Sequence, residues 1–310
     1  MLDEISFLSF NQRDQIQAWI YVPSIKPIGI IQIIHGFCEH SRRYLHMIVS
    51  FNDAGFIVAA DDHVGHGRTA ALTNKWSDWG DKGPKTMMED EHTLTKIVKE
   101  KYPNLPYFIF GHSMGSFIAR DYVATYGSEV DCVALCGTTG IFPNLAKGMK
   151  LCQEHIDEGK GDESDPNVAQ ILLGWMFQRC TEEIKYGNEW SCSDPIVVYN
   201  AANDPLCSIL RPTTNRSYLY FCQMIEAITG PSWAEKVPKK LPIYNVAGDE
   251  DPVGQYGEGV KQVTQWLEDS GHKVSTKIYP GYRYEIHQYP DLRNKVEQQL
   301  IEFFKNVLRN

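Results

Sequence analysis

The chain has 310 residues and a mass of 35.3 kDa, enough for one large core or for one domain carrying a substantial insertion. Hydrophobic residues make up 43% and charged residues 22%, the balance of a soluble globular protein. A net charge of −9 without a Lys/Arg run argues against nucleic acid or an anionic membrane surface as main partner.

The opening residues carry Asp3 and Glu4 and no basic stretch ahead of an apolar one, so no secretory signal is expected. Two alternating segments, ISFLSF (5–10) and QAWIYV (17–22), predict antiparallel strands joined by the polar turn NQRDQ. IGIIQII (28–34) is a continuous apolar run, as expected of a strand covered on both faces. Even extended to Phe37, that run is far shorter than the ~20 residues of a spanning helix, so no stable membrane insertion is expected. YLHMIVSFNDAG (44–55) suits a helix ending at Gly55, and FIVAA (56–60) another buried strand. A helix is expected over 84–102, a strand at 107–110, a helix over 114–126 and a strand at 133–137. Regular alternation then stops. Residues 141–237 are irregular, helical in character and rich in aromatics, too apolar for disorder. Alternation resumes with a strand at 241–248, a helix over 259–270 and a strand at 274–279. In the last helix Val296, Leu300, Phe304 and Leu308 form one apolar face. The pattern predicts an α/β core, 1–140 with 238–310, interrupted by a mainly helical cap, 141–237.

Gly-His-Ser-Met-Gly (111–115) sits between a buried strand and an amphipathic helix, the context that a nucleophile elbow requires. A sharp strand-to-helix turn strains the central residue, and small residues two before and two after leave it room. Ser113 is the expected nucleophile, raised at the positive end of the following helix. Acyl transfer also needs two amides aimed at the developing oxyanion. Met114, after the nucleophile, supplies one. Phe37, after His35-Gly36 at the end of an earlier strand, supplies the other. Glu39, His40, Arg43 and Tyr44 follow directly. They read either as a capped helix start with solvated charges or, for Glu39 and Arg43, as a pair at the pocket floor. The His63-x-x-His66 spacing in DDHVGHGRT makes a poor zinc site without a third Cys or His nearby, and a tight supporting turn is expected there. No metal and no cofactor are expected. The eight cysteines show no CxxC pair and read as reduced thiols of a cytoplasmic protein. By position, Asp249, Glu250 and Asp251 can each serve as the acid at a strand's C-terminal edge.

HGFCEHSRRY, DDHVGHGRT and GHSMGS together resemble the monoacylglycerol lipase and lysophospholipase (serine aminopeptidase S33-like) branch of the α/β-hydrolases. The resemblance covers nearly everything outside the cap, which looks longer than many lids of that family. It implies a mostly parallel central sheet flanked by helices, a Ser–Asp–His triad and a small-molecule or lipid ester as substrate. It implies Asp251, before Pro252-Val253, as the acid. Glu39, Arg43 and His112 then lie at the polar end of the pocket. The family reads G-x-R-H-E where this chain reads Gly281-Tyr282-Arg283-Tyr284-Glu285, so Tyr284 stands at the position of the general base.

A phenol with an ordinary pKa of ~10 is a poor proton acceptor at neutral pH. Three readings account for Tyr284: an engineered variant stripped of its base, an enzyme using His287, three residues on, or a non-enzyme that binds a ligand in a retained pocket. Intact Ser113, Asp251 and both elbow glycines favour the first. An epoxide or haloalkane hydrolase ranks low, because those reactions want Asp at the elbow.

Overall fold

The structure is a computed structural model that describes residues 1–209 and 211–309. Eight strands form one sheet: β1 (Leu2–Leu8), β2 (Gln15–Tyr21), β3 (Gly29–Ile34), β4 (Phe56–Asp62), β5 (Tyr107–His112), β6 (Cys132–Cys136), β7 (Ile243–Gly248) and β8 (Val274–Tyr279). Their spatial order is β1-β2-β4-β3-β5-β6-β7-β8. β1 and β2 pair antiparallel and β2 joins β4 antiparallel; every later pairing is parallel. The chain is therefore built on a mostly parallel α/β sheet, as its alternating apolar runs predict.

Burial follows position in the sheet. Every residue of β3, β4, β5 and β6 is buried, whereas the edge strand β1 alternates. Within β3 the side chains divide by parity: Ile30 and Ile34 enter one apolar layer, Ile31 and Ile33 the other. Successive strand residues point to opposite faces, so a run of isoleucines feeds two cores at once.

The helices of the core are α1 (Leu45–Asp53), α2 (Gly67–Thr73), α3 (Thr86–Lys101) and α4 (Met114–Tyr126). Between β6 and β7 come α5 (Leu145–Asp157), α6 (Pro166–Leu173), α7 (Pro195–Asn203), α8 (Asn215–Ala227) and the short α9 (Pro231–Ala234). α10 (Glu258–Asp269) and α11 (Arg293–Val307) complete the chain. One layer packs α3, α4, α8 and α10 through Leu94, Phe117, Phe221 and Leu267. The other packs α1 and α11 through Phe51, Leu300 and Phe304, with Phe304 stacked on Phe108 at 5.4 Å. Val296, Leu300 and Phe304 are buried as the four-residue spacing implies, and Leu308 is half-buried.

One correction concerns 61–69. The expected turn is present at 63–66, but α2 begins at once, at Gly67. Asp62 enables this: its Oδ2 accepts the Arg68 amide at 2.6 Å, standing in for a local N-cap.

The parallel strands send their C-terminal ends to one edge, so the loops after β3, β5, β6, β7 and β8 converge there, where an open α/β sheet binds its ligands. α4 approaches β3 closely: a Cβ on Gly115 would overlap the Ile34 carbonyl oxygen. Gly159 differs, with φ +79 but open space around it. Gly115→Ala should therefore cost at least about 2 kcal/mol by overpacking, and Gly159→Ala only about 1 kcal/mol by backbone strain. Urea denaturation of both variants checks the order.

Candidate active site

β5 runs into Ser113, whose backbone takes φ 58 and ψ −128 before α4 starts at Met114. That is a strained region for a residue with a side chain. Gly111 lets the turn close, since a Cβ there would overlap the Gly115 carbonyl. The turn after β3 touches this elbow. A Cβ on Gly36 would stand 2.7 Å from Ser113 Cβ and 3.2 Å from its Oγ. Phe37 is the next residue, and Met114, opening α4, has no acceptor for its amide within the helix.

Glu39 organises this loop. Its Oε1 accepts the Gly36 amide at 2.7 Å and the Tyr44 hydroxyl at 2.7 Å, and lies 3.2 Å from His112 Nδ1. Its Oε2 accepts from Arg43 at 2.7 Å. Arg43 also donates to both oxygens of Glu285, at 2.7 and 3.0 Å. Burial alone would raise the Glu39 carboxyl, but Arg43 and His112 hold it well below the usual range. Glu39 and Arg43 thus form the expected pair, and Glu285 is a third member that sequence reasoning did not assign. Its signal was its place in the same five-residue motif as Tyr284. His40 turns elsewhere, its Nε2 3.0 Å from Asp204 Oδ2.

The two histidines of the 61–69 stretch are buried behind this loop, with His63 stacked on His35 at 3.7 Å. His63 Nδ1 lies 3.3 Å from Asp61 and 3.2 Å from Glu91, both buried. Burial opposes charge on His63, but these acids raise its pKa well above the ordinary value. Burial and the neighbouring Asp61 push the Glu91 carboxyl up to about 8.

Tyr284 lies under Trp190 and beside His112, with ring centroids 5.1 and 4.8 Å away. A Cβ on Gly137 would stand 2.7 Å from the phenol ring, so glycine makes room for it. Tyr284 lines the same cavity as Ser113, and the Ser113 hydroxyl and the Asp251 carboxylate both act on its phenol. Burial first, and Asp251 second, raise the phenol well above its ordinary value, against a smaller opposite effect from Ser113. Asp251 is fully buried, with Oδ1 accepting the Gly254 amide at 3.1 Å. Its Oδ2 has no hydrogen-bond partner among the described residues. Burial pushes this carboxyl up to about 7, against the pull of the Gly254 and Val253 amides. His287 packs behind His112 and against Tyr44, 4.3 and 5.0 Å between centroids, away from the cavity wall.

Residues 25–291 match the model of a family described as serine aminopeptidase, S33. The chain belongs to that family. This S33 protein is 56% identical to a thermostable carboxyl esterase from Bacillus coagulans solved with glycerol, each chain covered to 99%, with a TM-score of 0.97. It is 32% identical over 302 residues to a monoglyceride lipase homolog of monkeypox virus, covering 94% of this chain and 95% of that one. It is 36% identical over 137 residues to a monoacylglycerol lipase of Mycolicibacterium smegmatis, a match spanning 43% of this chain and 47% of that lipase. The scaffold is an α/β-hydrolase of the esterase and lipase type.

Above Ser113 the S33 fold encloses a cavity of about 550 Å³. Phe142, Leu173, Met176 and Phe177 from the segment between β6 and β7 line its apolar part, and Glu39, Arg43 and Glu285 its polar end. That size and that mix suit a small amphiphile. Among the described residues no helix is long and apolar enough to cross a membrane.

Asp251 gives a pH test. Its folded value, about 7, lies above the ordinary 3.8, so between those values the folded chain keeps a proton that the unfolded chain has lost. That contribution to stability fades as pH rises through the window. The stability of Asp251→Asn relative to the native chain should therefore climb by about 1.4 kcal/mol per pH unit between about pH 4 and 7. Urea titrations at several pH values measure it, and a constant difference would contradict the assignment.

Proposed function

We propose that this chain is a serine ester hydrolase of the monoacylglycerol lipase or lysophospholipase type, with its turnover severely reduced by Tyr284 at the position of the base. Ser113 is the nucleophile, the Phe37 and Met114 amides are the oxyanion donors, and Asp251 is the orienting acid. Residues 141–237 are the cap whose aromatic side chains receive the acyl chain. The polar end around Glu39, Arg43 and His112 receives the alcohol part of the ester.

The observation that carries this reading is that Ser113 and Tyr284 line one cavity wall and that the phenol feels both the Ser113 hydroxyl and the Asp251 carboxylate. Serine, phenol and carboxylate stand in the order of a triad, with the phenol in the middle place. An imidazole in that place takes the serine proton and returns it to the leaving alcohol. The phenol cannot take it, because burial and Asp251 both disfavour the phenolate. Loss of the base costs ~10⁴ to 10⁶ in turnover and leaves the contributions of the oxyanion donors and of binding. The buried, unpartnered nitrogens of His287 and its place behind His112 support giving it no part in proton transfer.

A ligand-binding protein without turnover is the second reading. The specific observation in its favour is that Tyr284 fits closely, between Trp190, His112 and Gly137.

Tyr284→His separates the two. Hydrolysis of a short-chain p-nitrophenyl ester or a monoacylglycerol should rise by about 10⁴-fold, with kcat carrying the change. His287→Ala should leave the starting rate unaltered. An unchanged rate in Tyr284→His would remove the hydrolase reading.

A further inference from the structure

Behind the wall formed by His112 and Tyr284 lies a closed cluster of which the acyl-transfer reading uses only His112, on its cavity side. His112 ends β5, Cys136 ends β6, and His287 comes from the loop after β8. The three are buried, and their ligand atoms lie within 4.8 Å of one another.

Two features set this cluster apart from ordinary core packing. First, neither Nδ1 nor Nε2 of His287 has a hydrogen-bond partner among the described residues, although the side chain is fully buried. A neutral imidazole always carries one donor and one acceptor, and leaving a buried polar group unmet costs about 1–3 kcal/mol. The ring is held nearly parallel to Tyr44, at 6° and 5.0 Å, with His112 at its edge. Second, His112 is held on one side only. Its Nδ1 faces the Tyr44 hydroxyl at 2.9 Å and Glu39 Oε1 at 3.2 Å, while its Nε2 is unpartnered among the described residues. A carboxylate behind one ring nitrogen, with the other free, is how proteins orient an imidazole toward a metal.

The other two groupings of this kind each contain an ion pair of their own, although they too hold buried atoms without a hydrogen-bond partner among the described residues. His40 is taken by Asp204 at 3.0 Å. In the Asp61–His63–Glu91 group, contacts of 3.2 and 3.3 Å join the imidazole to both acids.

We propose that His112 Nε2, the Cys136 sulfur and one nitrogen of His287 form a binding site for a single thiophilic, closed-shell cation, Zn²⁺ or Cu⁺. One thiolate and two imidazoles are the donors that such ions select. An equilateral triangle with the longest edge allowed has its centre roughly 2.8 Å from each corner, so ligation at ~2.0–2.3 Å requires each donor atom to move in by at most about 0.5–0.8 Å. Burial holds the Cys136 thiol protonated, and burial with His112 nearby keeps His287 neutral. On binding, the thiol gives up its proton, the sulfur and two nitrogen lone pairs bond to the ion, and one proton leaves per cation. The ion does not reach Ser113. It fixes His112 and the loop bearing Tyr284, and so stiffens the cavity wall from behind.

The metal-free full chain is titrated with zinc chloride, and separately with Cu⁺ under anaerobic conditions, against a chromogenic chelator. One equivalent of at least one ion should bind, with about one proton released and a raised thermal midpoint. Cys136→Ser and His287→Phe should each weaken uptake by at least about 100-fold, while Cys180→Ser, outside the cluster, leaves it intact. If either cluster variant fails to fold by circular dichroism, the other decides. Absence of saturable one-to-one uptake of both ions would overturn the site, and so would uptake unaltered by the folded cluster variants.

Discussion

The site depends on one shared cation. Arg43 is held between Glu39 and Glu285, a partner 242 residues away in the chain. Through Glu39 it fixes the Gly36 amide, the Tyr44 hydroxyl and His112, and with them the loop that carries Phe37. Through Glu285 it fixes the loop that carries Tyr284. Removing these charges from water is expensive, and the planar fork of arginine repays it by bonding one carboxylate through both of its oxygens. The arrangement works as a register pin. Two loops at the edge of the sheet are set against each other, and Ser113 rises between them.

That pin holds the shape of the site independently of the residue at 284. The strain at Ser113 is maintained by backbone packing: Gly115 against the Ile34 carbonyl and Gly111 against the Gly115 carbonyl. None of this involves the residue at 284. The phenol of Tyr284 is seated against Gly137 and under Trp190 without disturbing the elbow. Both Tyr284 and Asp251 are pushed toward their neutral forms by burial, so this part of the site carries little charge separation of its own.

Much of the fold was legible because it is written in local periodicity. β3 and β4 read as unbroken apolar runs because both their faces are covered, and α4 begins where the strained serine ends the strand. Ser113, Asp251 and Tyr284 come from the loops after β5, β7 and β8, which leave the sheet at the same edge. α2 was missed because its N-terminal support, Asp62, belongs to the preceding strand. The partnership of Arg43 with Glu285 left no trace in spacing, because a contact between distant loops has no period. The surroundings of His287 were equally hidden: its place three residues after Tyr284 sets it beside the site in sequence, whereas the chain folds it back onto Tyr44 and His112.

The central claim is that Ser113 stands in a geometry ready for acyl transfer and lacks only a proton acceptor. Its most direct test is the rate at which a fluorophosphonate probe labels the chain, followed by intact mass and peptide mapping. The account predicts slow labelling confined to Ser113 in the native chain, and labelling at the same residue accelerated by orders of magnitude when histidine replaces Tyr284. Failure of both proteins to react, or modification at some other residue, would contradict it.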